Sequence, residues 1–441
     1  MAIGLAAYRI VTSVAGPPLA GLLGGLGSSD GVWRAGFRGA SDEARRAAGS
    51  TWVHAASMGE VGMARTWIEA LLERGERAPI LMTTRTRTGL ARARGEMGDR
   101  VAARIAPHDL PGVVASLLEC ARPRRLDVIE TEIWPNMILE ARRRSAAVVF
   151  VSAAVSERSA RRLRMLGIAG HGLLGDGVYA LPQSEAHAAR FESLGVPRER
   201  IRVMGDLKAA ASARAEEDLQ PFGSRPALVF GSMRPGEESV AVALAFLLHE
   251  QSVADAKKRR ALLVIAPRHP EGEARVRESL AALGFEVALR DEAARQGDVR
   301  SWIHETSKRP GKRVALLATR GELARAYGVA WGAVIGGTFA PFGGHNVWEP
   351  AARGCPVVVG PYHDNVSAAV DAIVQEGGGG VAMNGKQDLS RIVGSWLRDP
   401  ELDRVGAAAA RAAASATGVT ERGIEALAAW GLLPKPAAAA V

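Results

Sequence analysis

Residues 331–350, WGAVIGGTFAPFGGHNVWEP, form a pattern typical of a buried strand that leads through a glycine loop into the first turn of a helix. The run 331–335 is apolar and predicts a strand inside a sheet. The four glycines that follow let the backbone approach a ligand closely, and the free amides of a helix beginning near Asn346 favour an anion. For the glycines alone, a glycine-rich turn before an ordinary capped helix is the favoured explanation. The clustered His345, Asn346 and Glu349 instead favour a nucleotide site, in which Glu349 accepts hydrogen bonds from ribose hydroxyls.

Apolar runs alternate with helical patterns along the whole chain, which is typical of parallel sheets with crossover helices. We predict strands at 51–56, 79–83, 127–130, 147–152, 177–181, 227–230, 260–266, 285–289, 314–318, 333–335 and 356–359. The predicted fold class is therefore α/β, with two doubly wound, Rossmann-like domains. Because ligands of such sheets bind at the carboxyl ends of the strands, we expect the two domains to face a central cleft that holds the site.

The length of 441 residues favours two domains of about 200 residues each. We place an N-terminal Rossmann-like domain at 31–208, a polar, alanine-rich linker at 209–223 and a C-terminal Rossmann-like domain at 224–415. A C-terminal helix and tail follow at 416–441. The two cysteines, Cys120 and Cys355, lie far apart and fit neither a disulfide framework nor a metal site. A reducing, cytosolic setting is expected.

The chain is basic, with 56 Lys and Arg against 47 Asp and Glu and a formal net charge of +9. Such a charge suits a nucleic acid, a phosphorylated substrate or an anionic membrane surface. The arginine clusters at 142–144 and 161–164 have few aromatic neighbours for base stacking, and no nucleic-acid-binding module is recognisable. We therefore predict no nucleic-acid partner, and a solvated helix face explains each cluster taken alone.

Residues 10–29 carry no charge, and their number is just sufficient to cross a bilayer. Five glycines and the pair Pro17-Pro18 make this stretch a poor helix. A signal peptide is disfavoured because Arg9 is the only early positive charge. We predict that residues 1–30 form an uncleaved segment that rests on the membrane or dips into it, with a flexible N-terminus as the alternative.

The segment 54–60, HAASMGE, closes the first predicted strand and opens a helix. Ser57 and Glu60 have the spacing of a capping box, in which Glu60 folds back onto the amide of Ser57. A carboxylate at a strand end can alternatively take a proton from an attacking hydroxyl. Spacing alone favours the cap.

Two further segments carry charged residues that suit transfer chemistry, one at a strand end and one just before the linker. The segment 130–136, ETEIWPN, places Glu130 and Glu132 where the cleft is expected, which a solubility role explains poorly. Lys208, just before the linker, can direct its ammonium group at a leaving phosphate or can equally be a hinge lysine in water. The threonine-rich turn 83–89 suits a carboxylate, a phosphate or a helix cap.

In the second domain, Arg268 is fixed between Pro267 and Pro270, where a guanidinium can hold a phosphate in bidentate fashion. Gly231-Ser232 and Gly321-Glu322 each follow a strand and precede a helix, and Glu322 is expected to cap its helix. The chain has no Asp-X-Asp pair, the usual carboxylate cradle of a metal-bound nucleotide diphosphate. A metal-free reaction is expected, with no metal ligands.

Taken in order, these motifs resemble those of the 3-deoxy-D-manno-octulosonic acid (Kdo) transferases of lipopolysaccharide synthesis, from about Trp52 to Asn365. The resemblance rests on the segments 57–60 (SMGE), 83–89 (TTRTRTG), 130–136 (ETEIWPN), 156–159 (SERS), 205–208 (GDLK), 231–232 (GS) with 236–238 (GEE), 267–270 (PRHP), 321–323 (GEL) and 343–346 (GGHN) with Glu349.

The resemblance implies a GT-B glycosyltransferase that inverts the anomeric carbon, with CMP-Kdo as donor, a lipid A precursor as acceptor and no further cofactor. It implies work at the cytoplasmic face of the inner membrane, with the protein peripheral or anchored by its N-terminus. It also assigns roles to single residues. Glu60 becomes the general base, and Glu130 and Lys208 assist the transition state. The CMP pocket then comprises Pro267, Arg268, Arg320, Gly321, Glu322, Asn346, Val347, Trp348 and Glu349.

Several positions depart from the family pattern. Met233-Arg234-Pro235 replaces the usual Thr-His-Glu, Ser152-Ala153-Ala154 replaces Asn-Ala-Arg, Arg320 replaces an apolar residue and Tyr362 replaces His. Two rival interpretations stay open. One is another GT-B transferase or epimerase that uses a UDP sugar, and the other is a non-catalytic relative that binds an acidic lipid or a nucleotide.

Overall fold

A computed structural model describes residues 3–14, 31–214, 225–254, 262–398, 402–416 and 418–433. The chain divides into two compact units. The first comprises Met1–Leu207 together with Gly418–Val441, and the second comprises Lys208–Thr417. Each unit contains one parallel sheet.

The first unit begins with six strands and ten helices among its described residues. The strands are β1 (Thr51–His54), β2 (Ile80–Thr84), β3 (Ala102–Ile105), β4 (Arg125–Ile129), β5 (Ala147–Ala153) and β6 (Val178–Pro182). The helices are α1 (Ile3–Val14), α2 (Gly31–Ala35), α3 (Asp42–Arg46), α4 (Met58–Glu73), α5 (Arg87–Met97), α6 (Pro111–Ala121), α7 (Pro135–Arg143), α8 (Glu157–Met165), α9 (His171–Leu174) and α10 (Glu185–Ser193).

The sheet of the first unit has the order β3-β2-β1-β4-β5-β6, and all its pairings are parallel. The central strands β1 and β4 are buried along their whole length, as expected for strands covered by helices on both faces. Arg125 in β4 is buried because its guanidinium donates to both carboxylate oxygens of Asp127, at 2.7 and 3.0 Å. This order places the carboxyl ends of β1 and β4 side by side.

The second unit contains seven strands and nine helices among its described residues. The strands are β7 (Ala227–Met233), β8 (Leu262–Pro267), β9 (Glu286–Arg290), β10 (Arg313–Leu317), β11 (Ala330–Ile335), β12 (Val357–Val359) and β13 (Gly379–Val381). The helices are α11 (Leu207–Arg214), α12 (Glu238–Ala254), α13 (Pro270–Ala282), α14 (Val299–Lys308), α15 (Leu323–Tyr327), α16 (Trp348–Ala352), α17 (Ser367–Gln375), α18 (Lys386–Arg398) and α19 (Leu402–Ser415).

The sheet of the second unit has the order β13-β12-β11-β7-β8-β10-β9, again wholly parallel. The chain runs from β7 to β8 on one side of the sheet and reaches β11 on the other, so the direction of winding changes between β7 and β11. Apolar clusters cover both faces of this sheet. Both units are therefore doubly wound, as predicted.

All eleven predicted strands are confirmed, and two strands were missed. The missed strands β3 and β13 each lie at the edge of a sheet. The predicted linker is partly wrong, because residues 209–214 belong to helix α11, in which Ala209 is buried in the core of the second unit. The rest of the predicted linker lies outside the described residues.

The last helix, α20 (Val419–Ala429), belongs to the first unit, whereas the sequence suggested a segment apart from both domains. It packs against α4, and the reason is visible at Gly423. A Cβ atom at this position would lie only 2.8 Å from the ring of the buried Trp67. The close approach of the two helices therefore requires glycine.

Helix α1 lies on the first unit through one face. Leu5 is buried, the Tyr8 hydroxyl donates to Asp109 at 2.8 Å, and Arg9 pairs with Glu140 at 3.0 Å. The expectation of a poor helix is wrong for residues 10–14, and residues 15–30 lie outside the described part of the chain. Among the described residues, no helix combines the length and apolar character needed to cross a bilayer.

Candidate active site

The candidate catalytic carboxylates of the first unit lie at the carboxyl ends of its central strands. Glu60 is in the first turn of α4, which follows β1, and Glu130 directly follows β4. Because β1 and β4 are neighbours, the parallel sheet brings these two acids to the same edge. The structure thus brings Glu60 and Glu130 to one edge of the first sheet, and their catalytic roles stay predictions.

Glu60 completes a capping box, although on a different amide from the predicted one. The Ser57 Oγ accepts from the Glu60 amide at 3.3 Å and donates to the Glu60 carboxylate at 2.8 Å. The second carboxylate oxygen accepts from the amide of Ala56, rather than Ser57, at 2.8 Å. Burial, together with the negative charges of Glu130 and Glu132, raises the pKa of Glu60 despite these hydrogen bonds. A carboxylate with a raised pKa is a stronger base, so the cap and the base role are compatible.

Glu130 has an unusual backbone. Its φ is +59°, in the left-handed region that residues other than glycine rarely adopt. The Glu130 amide donates to the Val151 carbonyl of β5 at 2.8 Å, which holds the strained residue in place. Such strain is often found at functional sites, where it directs a side chain.

The buried His54 and the partly buried Glu132 form a pair beside Glu60. The Nε2 of His54 lies 3.2 Å from Glu132, which also accepts from the Trp134 indole at 2.7 Å. Burial alone would raise the pKa of Glu132, but the hydrogen bonds from His54 and Trp134 and the charge of Arg85 outweigh it and lower this pKa. Glu132 is therefore ionised, while Glu60 holds its proton more tightly.

A cavity of about 220 Å³ lies against this pair. It is lined by Trp33, His54, Arg85, His108 and Trp134, among other residues of the first unit. The Arg85 guanidinium lies 4.3 Å from the centre of the Trp134 ring. The cavity thus combines aromatic walls with a cation.

The second unit gathers positive charge around His345. Burial and nearby cations lower the pKa of His345 to about 4. In decreasing order of effect, the basic side chains that contribute are Arg268, Arg234, His269 and Lys208. The predicted residues Arg268 and Lys208 therefore both lie near enough to His345, in the glycine loop, to lower its pKa. Arg268 is exposed and directly follows Pro267, the last residue of β8.

The loop at 320–322 differs from the prediction. Glu322 occupies the N-cap position of α15 but makes no capping hydrogen bond. Its carboxylate instead accepts two hydrogen bonds from the buried Arg290, both at 2.8 Å, and this pairing lowers the pKa of Glu322. Glu322 can thus shape the loop rather than offer a free carboxylate. Arg320 is exposed, and Gly321 adopts a φ of +79°.

The segment 346–349 is held by its own side chains. Asn346 accepts from the Trp348 amide at 3.0 Å and donates to Ser212 and Glu349, both at 3.3 Å. Helix α16 begins at Trp348 and has only five residues, so the predicted contribution of a helix dipole is small. Val347 and Trp348 are buried in the core, which leaves Asn346 and Glu349 as the polar groups of this segment.

The site residues predicted from the sequence did not include His54, Arg234 or Glu237. The role of His54 as a partner of Glu132 could have been predicted. His54 is the last residue of β1, and Glu132 follows the adjacent strand β4. Glu237 is buried and accepts from the amides of Arg234, Gly337 and Phe339 at 2.8 to 2.9 Å. No sequence signal marks this carboxylate as the link between two loops.

In chemical terms, the first unit offers a base and the second offers cations for a departing anion. Among the described residues, no group of three or more His, Cys, Asp or Glu side chains is arranged to hold a metal ion. The metal-free reaction remains a prediction.

Residues 33–211 match the family model described as 3-deoxy-D-manno-octulosonic-acid transferase (kdotransferase). The chain is 32% identical over 401 residues to the 3-deoxy-D-manno-octulosonic acid transferase of Bordetella pertussis, covering 87% of this chain and 88% of that protein. It is 28% identical over 361 residues to the enzyme of the same name from Haemophilus influenzae, covering 79% of each chain. A probable mitochondrial 3-deoxy-D-manno-octulosonic acid transferase from Arabidopsis thaliana is 29% identical over 371 residues, 80% of this chain and 78% of that one.

Two solved structures with the same overall fold are UDP-GlcNAc 2-epimerases. The structure from Neisseria meningitidis, bound to UDP-GlcNAc, has a TM-score of 0.59 at 12% identity and covers 86% of this chain and 99% of its own. The putative enzyme from Listeria monocytogenes has a TM-score of 0.61 at 12% identity and covers 90% of this chain and 100% of its own. At this identity the likeness concerns the fold alone.

The fold class predicted from the sequence, a GT-B pair of doubly wound domains, is confirmed, while the facing of the two domains across a cleft stays a prediction. The relative from B. pertussis exceeds 30% identity over most of both chains. The chain therefore belongs to the 3-deoxy-D-manno-octulosonic acid transferase family of glycosyltransferases.

Proposed function

We propose that this protein transfers Kdo from CMP-Kdo to a hydroxyl group of a lipid A precursor, the tetraacyldisaccharide 4′-phosphate, in the synthesis of the lipopolysaccharide core. The reaction inverts the anomeric carbon and needs no metal. Membership of the transferase family supports the sugar. The observation that carries the mechanism is the raised pKa of Glu60 at the carboxyl edge of the first sheet.

In this mechanism Glu60 takes the proton from the acceptor hydroxyl as the hydroxyl oxygen attacks the anomeric carbon of Kdo. The new glycosidic C–O bond forms as the bond between the sugar and the CMP phosphate breaks, and the proton stays on Glu60. Negative charge then collects on the phosphate. Arg268 and Lys208 lie near His345 and can stabilise this charge electrostatically, and Glu130 supports the transition state from the first unit.

The CMP portion is assigned to the loops of the second unit, at Pro267-Arg268, 320–322 and 346–349. Glu349, whose carboxylate accepts a hydrogen bond from Asn346 at 3.3 Å, is assigned to the ribose hydroxyls. Glu322 contributes by holding the loop that contains Arg320 and Gly321, since its own carboxylate is bound to Arg290.

The protein is proposed to work at the cytoplasmic face of the inner membrane, as a peripheral protein or one anchored by its N-terminus. Helix α1 supports this, because its outer side exposes Ile10, Val11 and Val14 while its inner side is fixed to the first unit. An apolar face of this kind suits the boundary between headgroups and acyl chains.

The experiment is incubation with freshly made CMP-Kdo and the tetraacyl precursor, followed by mass spectrometry of the lipid. The expected result is a lipid heavier by one or more Kdo units. In parallel, thermal unfolding is measured with CMP and with UDP, and stabilisation by CMP is expected to be greater. Stabilisation by UDP alone, without transfer of Kdo, would favour the rival transferase or epimerase of a UDP sugar.

A further inference from the structure

Arg234 follows β7, the middle strand of the second sheet, which lies between β11 and β8. The winding of the chain reverses between β7 and β11, and ligands of doubly wound sheets collect at such a point. The loop after β11 carries His345. Arg234 and His345 therefore border the place where the reacting end of a bound nucleotide sugar is expected.

The Arg234 side chain is held in place but is not fully hydrogen-bonded. Its Nη1 lies 2.6 Å from the Nε2 of His269, and its guanidinium carbon lies 4.3 Å from the centre of the Phe342 ring. Its backbone amide donates to the buried Glu237 at 2.8 Å. The Nε of Arg234, however, is buried and has no hydrogen-bond partner. An unsatisfied buried donor is costly, so this edge of the guanidinium is suited to an acceptor supplied by a ligand.

His345 presents a second unsatisfied group at the same place. Its Nε2 is also buried without a hydrogen-bond partner. Because its pKa lies near 4, the ring is neutral at pH 7 and can donate one hydrogen bond without adding charge. The two groups come from neighbouring loops, and together they offer two hydrogen-bonding edges to one small anion.

The charged groups of the donor indicate which anion binds at Arg234 and His345. CMP-Kdo carries a phosphate and, on the anomeric carbon of its sugar, a carboxylate. The proposed function assigns Arg268 and Lys208 to the phosphate, which leaves the guanidinium of Arg234 as a further cation. The planar fork of a guanidinium matches the two oxygens of a carboxylate.

We propose that Arg234, together with the Nε2 of His345, binds the carboxylate of the donor sugar, so that the site selects nucleotide sugars that carry an acid beside the reacting carbon. This inference rests on the proposed function and names the chemical feature by which the donor is recognised. It also gives a role to Arg234, one of the positions at which this chain departs from its family.

The test compares R234A and R234K with the unmodified protein by calorimetry, using CMP, CMP-Kdo and the carboxamide analogue of CMP-Kdo, without acceptor. R234A is expected to bind CMP within about twofold of the unmodified protein and to lose about tenfold to a hundredfold in affinity for CMP-Kdo. R234K should recover part of this loss because it keeps the charge. The control R277A removes an exposed arginine of α13 that lies 4.0 Å from Glu273. It should change the affinity for neither CMP nor CMP-Kdo.

Normal CMP binding by R234A also shows that the variant is folded. Equal weakening of CMP and CMP-Kdo would overturn the proposal, because Arg234 would then contact the nucleotide. Unchanged binding of CMP-Kdo, or equal binding of CMP-Kdo and its carboxamide by the unmodified protein, would overturn it as well. Failure of the unmodified protein to bind either CMP or CMP-Kdo would be a different result, since it would refute the proposed function itself.

Discussion

Glu60 and Glu132 lie at neighbouring strand ends, yet their surroundings move their pKa values in opposite directions. Burial and two like charges raise the pKa of Glu60, whereas hydrogen bonds from His54 and Trp134 lower that of Glu132. Opposed shifts of this kind separate a proton acceptor from a permanent charge. Glu132 accordingly tunes Glu60 without exchanging protons itself.

This tuning predicts a pH dependence. Glu60 acts as a base only when it is ionised, so kcat/KM should fall as the pH drops through its raised pKa. E132Q removes a negative charge that raises this pKa, and the acidic limb of the kcat/KM profile should therefore move to lower pH. The control E73Q, at the exposed end of α4, should leave the limb in place. A limb that stays fixed or moves upward in E132Q would be incompatible with this coupling.

The backbone of Glu130 gives a second prediction. Glycine adopts a φ of +59° without steric cost, so E130G should raise the melting temperature by about 2–4 °C while transfer falls strongly. R122G is a matched control, because Arg122 also has a positive φ, at the exposed end of α6. It should stabilise the protein similarly and keep full transfer. Full transfer by E130G would remove Glu130 from the mechanism.

Most elements were predictable because buried parallel strands are continuous apolar runs between turn signals. The missed strands break that rule. In β3, Arg104 is buried by hydrogen bonds to the carbonyls of Gly39 and Ile105, and β13 is a short glycine-rich edge strand. The beginning of β4 was missed because Arg125 looks like a strand end until its pairing with Asp127 is known.

The positions of Glu60 and Arg268 after strand ends were predictable from the local sequence, while their roles stay predictions. Contacts between residues distant in sequence were not predictable. Glu322 looked like a helix cap, but Arg290 from β9 binds its carboxylate. Likewise, the pairing of His54 with Glu132 depends on adjacent strands, not on spacing.

The link between the loops after β7 and β11 can be tested at Glu237. E237A would leave the amides of Arg234, Gly337 and Phe339 without their buried acceptor, at a cost of about 3 kcal/mol or more. We expect a lower denaturant midpoint for the second unit and weaker CMP binding. The neighbouring E238A, which loses one exposed amide contact and an ion pair with Arg275, should cost less than about 1 kcal/mol. Equal effects of the two variants would contradict the role given to Glu237.

For the molecule as a whole, the proposed membrane contact is the outer side of α1. The triple variant I10S/V11S/V14S should reduce binding to anionic lipid vesicles at least about tenfold, because it removes three exposed apolar side chains. V374S, which changes an exposed apolar residue of α17, is the control. Vesicle flotation measures the binding. Equal flotation of both variants would argue against this contact. So would cleavage of the N-terminus by a protease at the same rate with and without vesicles.

The whole account requires both units, because a base in the first must act on an acceptor while the cations of the second hold the donor. The most direct measurement is the transfer of Kdo to the tetraacyl precursor by E60Q, compared with its affinity for CMP-Kdo. We predict that transfer falls about 10²- to 10⁴-fold while CMP-Kdo affinity is unchanged. Transfer by E60Q at the rate of the unmodified protein, or a loss explained wholly by weaker donor binding, would contradict the account.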